Sequence, residues 1–325
     1  MKILLLGLGN VGRGLLELMT ASGTSDKLRL VGAADSSGYI TGTLEPGTIL
    51  ELKRKGILSA LPEWNCGTAL EAVKKAEADT VIDCMPSNYT DCEPSYSCII
   101  AALKNGMDVV TASKAALAFH MNKLVELARS EGQHLFFGGS VGGGTPFVDF
   151  GRLCVSGESD KVVSLKGVLN GTSNFVLENL ARGKDISDAV ETAKRMGVAE
   201  AYPETDLSGT DSAAKITILA NSLCGASITM HDVIKDCDLV VAARDIAGGT
   251  NMRQVASFDS DTGAAAVRYL RVERGSELDV PGTENVLIYR CYVGGTFILR
   301  GKGAGGRETA VAILRDLAKL LRNGK

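Results

Sequence analysis

Apolar residues 3–6 run without a polar break and are cut at once by three glycines in GLGNVG, residues 7–12. That pattern predicts a buried parallel strand feeding a turn, and residues 11–19 then carry apolar positions at helical spacing. Residues 28–34 repeat the strand pattern and end at Asp35. Apolar runs at 80–85, 108–111 and 134–137 predict three more strands, with helical stretches at 70–78, 96–105 and 115–130 between them. Strands alternating with helices predict an α/β fold, a Rossmann-type doubly wound parallel sheet. The texture changes at GGSVGGGTP, residues 138–146, which predicts a loop between domains. Beyond it, strand-like stretches at 162–169, 286–293 and 297–300 mix with helical ones at 173–181, 186–196 and 211–222, predicting a second, α+β domain. A closing helix at 309–321 suits a return to the first domain. The expected division is residues 1–137 plus 303–325 for one domain and 138–302 for the other.

Composition narrows the partners. The chain has 325 residues, 45% of them hydrophobic, a formal net charge of −3 and only 5% aromatics. Nothing here makes a basic footprint for nucleic acid or an anionic membrane. No run of eighteen apolar residues offers a membrane span, and the early glycines make a poor leader sequence. Eight cysteines, Cys66, Cys84, Cys92, Cys98, Cys154, Cys224, Cys237 and Cys291, are scattered without a CxxC pair. They are expected to be free thiols in a cytoplasmic protein, not metal ligands. His120, His134 and His231 lie outside every motif and are expected to be structural or surface residues.

The glycine turn carries the first chemistry. Gly7 permits a tight turn, Gly9 lets a pyrophosphate approach the backbone, and Gly12 allows close packing of helix on strand. Amides at the following helix start, including Asn10 and Val11, are placed to face phosphates. The dinucleotide expected is NAD or NADP. Asp35 can accept from a ribose 2′-hydroxyl, which favours NAD, whereas Ser36, Ser37 and the run Lys53–Lys55 can cradle a 2′-phosphate. The alternative for the basic run is an ordinary solvated helix face.

The second chemistry lies at residues 200–215. Asp211 and Lys215 are four apart and so share one helix face. From 212 to 224 the sequence is SAAKITILANSLC, in which Lys215 is the only charge. A helix apolar on nearly all sides is buried, and a buried lysine needs a partner or a task. Such a lysine can donate a proton to a developing alkoxide. Glu200 and Asp206 precede it in a Pro- and Gly-containing loop, where carboxylates can receive a substrate ammonium.

At this point four segments resemble the homoserine dehydrogenase family: GMDVVTASKAAL at 106–117, GVLNGTSNF at 167–175, AKRMGVAEAYPETDLSGTDSAAK at 193–215 and GKGAGGRETA at 301–310. The resemblance implies an NAD(P)-linked interconversion of L-aspartate 4-semialdehyde and L-homoserine, serving threonine, methionine and isoleucine biosynthesis. It implies Lys215 as proton donor and acceptor, Asp211 beside it, and Lys114 as a second active-site lysine. Glu200, Asp206, Gly171 and Thr172 correspond to substrate-binding positions. Pro86, Ser113 and Gly305 correspond to cofactor-binding ones, and Asp83 lies at a strand end that faces the cofactor. The resemblance also implies a homodimer through the second domain, and a short form without a regulatory domain.

Two positions depart from the family pattern. Ser113 stands where asparagine is common, and Gly138 where a glutamate is often tied to a monovalent cation. Backbone carbonyls of Gly138, Val141, Gly143 and Thr145 leave a sodium site possible, with an ion-free glycine loop as the alternative. Residues 224–255 and 271–277 match no motif. The alternative function is another NAD(P)-dependent amino-acid oxidoreductase. That enzyme would keep residues 7–12 but need no combination of Glu200, Asp206, Asp211 and Lys215.

Overall fold

The computed structural model describes residues 1–22, 27–154, 160–199 and 203–322. It divides into two compact units, Met1–Gly144 with Gly305–Lys325, and Thr145–Ala304.

The first unit opens with β1 (Lys2–Leu6), α1 (Asn10–Ser22), β2 (Arg29–Asp35) and β3 (Gly38–Thr41). It continues through α2 (Pro46–Lys55), α3 (Ala69–Lys75), β4 (Thr80–Asp83), α4 (Ser95–Lys104), β5 (Asp108–Thr111), α5 (Ala115–Ser130) and β6 (Leu135–Phe136). Among the described residues its sheet has the order β3-β2-β1-β4-β5-β6. All neighbours are parallel except β2 and β3. This is the doubly wound arrangement read from the strand–helix alternation, with its switch point between β1 and β4. The antiparallel edge β3 has no counterpart in the hydrophobic pattern, because GYIT is too short to show a period. The fourth strand stops at Asp83, two residues before the apolar run ends, where the Asp83 carboxylate accepts the Met85 N–H.

The C-terminal helix, Gly306–Arg322, belongs to this unit. Its buried Ala310, Ile313, Leu317 and Leu320 recur at three- and four-residue spacing and join a core with Ile3, Leu5, Leu15 and Leu16. The glycine-rich loop up to residue 144 is also tied here. The Gly138 N–H donates to Asp316, the Ser140 hydroxyl donates to the Thr111 and Ser113 carbonyls, and the Arg315 guanidinium donates to Gly144 O.

The second unit runs through α6 (Phe147–Leu153), β7 (Val162–Val168), α7 (Gly171–Ala181), α8 (Ile186–Arg195), α9 (Glu204–Leu207) and α10 (Thr210–Leu223). It ends with β8 (Val233–Asp236), α11 (Leu239–Ala247), β9 (Met252–Asp259), β10 (Ala265–Arg271), β11 (Glu284–Cys291) and β12 (Thr296–Lys302). Its sheet has the order β12-β11-β7-β9-β10-β8, antiparallel except between β10 and β8. The α+β character follows the sequence pattern. However, α11, β9 and β10 fill segments in which no strand or helix was legible. Their polar members, such as the fully buried Gln254, are satisfied by partners distant in sequence and so break the apolar period.

Gly14 of α1 lies where the C-terminal helix begins, and a Cβ at Gly14 would stand 2.8 Å from Gly306 O. Gly14→Ala should therefore lower stability by about 1–3 kcal/mol, the usual cost of overpacking, read as a lower denaturant midpoint. An unchanged midpoint would mean that the two backbones separate freely to admit the methyl group.

Candidate active site

In the second unit Gly209, with φ +80, starts α10 where a Cβ would crowd Cys237 Sγ at 2.8 Å. Asp211 then sits in the first turn, where the helix dipole favours a carboxylate, and Lys215 lies one turn on along the same face. Lys215 is only 7% exposed. Its Nζ lies 2.6 Å from Asp211 Oδ2 and donates to Leu169 O at 2.6 Å. An ammonium has three donors. Two are therefore directed at protein oxygens, leaving one for a third oxygen.

Asn170 organises the carboxylates. It caps α7, its Oδ1 accepting the Ser173 N–H at 2.8 Å, so its two amide hydrogens must point the other way. They reach Asp206 Oδ1 at 2.6 Å and Asp211 Oδ2 at 2.9 Å. The Asp206 backbone is held by Gln254, whose Nε2 donates to Asp206 O while its Oε1 accepts from Ser212. Thr172 donates to Val198 O, and Gly171 lies against Thr283, where a Cβ would be 2.7 Å from the carbonyl oxygen. Asp206, Asp211, Lys215, Gly171 and Thr172 thus stand together, whereas Glu200 lies outside the described residues. Asn170 and Gln254 were missed as organisers. Asn170 stands inside the quoted GVLNGTSNF segment, and its position before a helix was the available signal.

In the first unit the glycine turn has three distinct surroundings. A Cβ at Gly7 would stand 2.6 Å from the Cys84 carbonyl, and one at Gly12 would overlap Gly7 O. A Cβ at Gly9 would meet nothing within 4 Å, so that backbone is open to a ligand. These glycines fit a dinucleotide pyrophosphate at the start of α1. The Asn10 carboxamide accepts from Arg13, Val11 is half-buried, and Gly306, next to Gly305, lies against Asn10 O.

Asp35 departs from an open ribose acceptor. Its Oδ1 accepts from the Ser37 N–H and hydroxyl, and its Oδ2 from Lys53 Nζ. Burial pushes its carboxyl up, but the Lys53 and Ser37 hydrogen bonds and the Lys53 charge outweigh this and hold it below the ordinary value. Lys53 is therefore no mere solvated-face lysine. Arg54 pairs with Glu17 and Lys55 with Glu51 on the surface. Ser36 is exposed in the turn just beyond.

The ends of β4 and β5 are joined through Asp83. It is fully buried and accepts from the Met85 N–H at 3.0 Å, from the Ser95 hydroxyl and from the Thr111 hydroxyl at 2.9 Å. Burial raises its carboxyl above the usual range against these three donors. The Lys114 N–H donates to Ser87 Oγ at 2.8 Å, so Pro86, Ser87, Ser113 and Lys114 form one rim. Asp83 thus ties together the ends of β4 and β5, at the strand end where the sequence placed it. His120 stacks on Tyr96, His134 bonds Asp108, and His231 lies in a short turn. All eight cysteines are free, and among the described residues no group of three His, Cys, Asp or Glu could hold a metal. No helix among them is long and apolar enough to cross a membrane.

A phosphate-binding turn in one unit and a buried lysine–carboxylate set in the other define a nicotinamide-nucleotide oxidoreductase. A family model described as homoserine dehydrogenase matches residues 146–318, and one described as homoserine dehydrogenase, NAD binding domain, matches residues 7–138. The chain is 33% identical over 324 residues to homoserine dehydrogenase from Sulfurisphaera tokodaii, covering 99% of both. It is 31% identical to NAD(+)-dependent homoserine dehydrogenase from Pseudomonas canavaninivorans, over 97% of this chain and 95% of that one. Its structure is similar to a hyperthermophilic archaeal homoserine dehydrogenase in complex with NADPH, with TM-score 0.87, 26% identity and coverage of 100% of this chain and 98% of that one. The Thermoplasma acidophilum homoserine dehydrogenase is also similar, with TM-score 0.84, 28% identity and 99% of each chain covered. The chain belongs to the homoserine dehydrogenase family, NAD(P)-dependent oxidoreductases that act on a CH–OH group.

Burial and the neighbouring Asp211 push the Asp206 carboxyl above its ordinary value of 3.8, against smaller pulls from Asn170, Lys215 and Thr172. A raised folded-state value stabilises the fold fully below the unfolded value, and that contribution is lost as pH rises through the folded value. Asp206→Asn removes the ionisation, so at neutral pH it should melt higher than the parent, with the gap closing as pH falls toward about 4. A gap that does not change with pH would assign the strain to something other than this carboxylate.

Proposed function

We propose that the chain catalyses the reversible reduction of L-aspartate 4-semialdehyde to L-homoserine, with Lys215 carrying the proton. The observation that supports this most is the buried ammonium of Lys215, held by Asp211 and Leu169 O with one donor left over. A bound NAD(P) would supply hydride chemistry at the aldehyde or alcohol carbon, in either direction. Gly7, Gly9, Asn10, Val11, Gly12 and Gly305 would hold it, together with Asp35, Ser36, Pro86 and Ser113. As negative charge develops on the carbonyl oxygen, Lys215 donates its remaining proton there, giving the hydroxyl. In the other direction it removes that proton. Asp211 keeps the lysine aimed and compensates its charge. Asp206 and Glu200 receive the substrate ammonium, with Gly171 and Thr172 forming the adjoining turn, and Lys114, in the first unit, stands where the family has a second active-site lysine.

A sodium ion on the carbonyls of Gly138, Val141, Gly143 and Thr145 is what the resemblance implies, with an ion-free glycine loop as the alternative. Thr145 O already accepts the Phe147 N–H, and Arg315 places a cation on Gly144 O. No step depends on such an ion. A cytoplasmic homodimer is part of the same proposal. Its support in the second unit is the edge strand β12, whose Phe297 and Ile298 are 37% and 46% exposed.

Mixing the protein with L-homoserine and NAD+ or NADP+ should produce reduced nicotinamide absorbance. No turnover with either, from a folded sample, would overturn the proposal. Lys215→Ala should lose about 10²–10⁴-fold in kcat, the usual yield of a positioned proton donor, with its circular dichroism unchanged. Near-normal turnover would remove Lys215 from the proton path. For the cofactor, Lys53 can bond a 2′-phosphate only by sharing its charge with Asp35. Lys53→Ala should raise KM for NADP+ more than KM for NAD+. Equal changes would show that Lys53 serves Asp35 alone.

A further inference from the structure

Leu169 is the residue just past β7, so its carbonyl has left the strand ladder at the point where it accepts from Lys215. A buried carbonyl oxygen has two lone pairs, so besides a charged donor it can take a second donor that acts as a holder of its direction. That holder comes from β11. Val286 pairs with Val168 in antiparallel register, which brings Asn285 level with Leu169. The Asn285 side chain is wholly buried, and its Nδ2 donates to Leu169 O at 2.7 Å. Leu169 O therefore takes two hydrogen bonds, one from Asn285 and one from Lys215, and its acceptor capacity is filled.

The glycine-rich segment at 301–306 adds an independent observation. A Cβ at Gly303 would overlap Asn285 Cγ and Nδ2, so the backbone runs directly across the amide plane. Gly303 has no positive φ among the described glycines. Its need for glycine is one of space, and the space is occupied by Asn285.

We propose that Asn285 is a positioning residue for the reaction. Through the Leu169 carbonyl it fixes the direction in which Lys215 presents its remaining proton, and Gly303 is the residue that leaves room for it. This rests on Lys215 being the proton carrier. Asn285 does not touch substrate or cofactor. Its contribution is the orientation of the lysine, and orientation errors of about 1 Å cost up to about 10²-fold in rate. With the carbonyl released, Lys215 keeps Asp211 and its charge but loses one of two anchors. The proton then arrives less well aligned, and its transfer becomes a larger part of the barrier.

The test uses the full chain, with Lys215→Ala as reference. Asn285→Leu keeps the volume and removes the donor. It should lower kcat by between about tenfold and 10²-fold, leave KM for NADP+ unchanged and raise the solvent deuterium isotope effect on kcat. A packing role alone would be rescued by leucine and would leave the isotope effect unmoved. Gly303→Ala, which displaces the amide without altering it, should give the same signature more weakly. In the unaltered protein, the Asn285 side-chain amide should show slow hydrogen exchange by nuclear magnetic resonance, a measurement that needs no variant to fold. Fast exchange, or a full kcat with a parental isotope effect in Asn285→Leu beside an inactive Lys215→Ala, overturns this proposal alone. An active Lys215→Ala overturns the underlying assignment as well.

Discussion

Taking an ammonium out of water costs several kcal/mol unless a counter-charge and hydrogen bonds are waiting for it. At Lys215 they are supplied by Asp211 from the same helix and Leu169 O from the end of β7. Much of the second unit follows from this one requirement. The helix must begin at Gly209 so that Asp211 lies in its first turn, and β7 must end where Leu169 can turn its carbonyl inward. Asn170 must cap α7 so that its amide hydrogens meet both Asp206 and Asp211. Two segments, 169–170 and 206–215, thus converge around one cation, with Leu169 and Lys215 46 positions apart. The raised Asp206 carboxyl is the strain this leaves, a cost in stability accepted where function needs charge.

The first unit solves a different problem, the close approach of backbone to backbone. Gly7 clears Cys84, Gly12 clears Gly7 O, and Gly14 and Gly306 let α1 and the C-terminal helix meet. Asp83 then binds the ends of β4 and β5 into one rim by accepting three donors in a buried place. Of the three glycines in the turn, Gly9 is the one left facing open space, as a phosphate-binding backbone requires. At the neighbouring strand end Asp35 is already engaged by Lys53. That strand end therefore presents an ion pair and not a bare carboxylate.

Elements with a clean period were legible in the chain. The alternation of β1, α1, β2, β4, β5 and their helices declared the doubly wound sheet, and the lone charge in SAAKITILANSLC marked Lys215 as buried. Elements whose faces are mixed were not. The strand β9 buries Arg253 and Gln254 on its two opposite faces, where Asp279 and Ser212 arrive from elsewhere to bond them. No local pattern announces such partners. β3 was hidden for the simpler reason of length.

Spacing along the chain was enough for relationships inside one turn or one helix: the three glycines at 7, 9 and 12, and the four-residue step from Asp211 to Lys215. It left open whether Asp35 meets a lysine, and it gave no sign of the one amide and two hydroxyl donors that hold Asp83. Those outcomes belong to tertiary structure, because a polar side chain takes its role from whatever donor or acceptor folding brings within about 3 Å. Lys215 shows both halves. Its burial and its aspartate could be read from the fourteen consecutive residues 211–224. Its second anchor, Leu169 O, stands 46 positions away and is itself held by Asn285, 116 positions beyond that carbonyl.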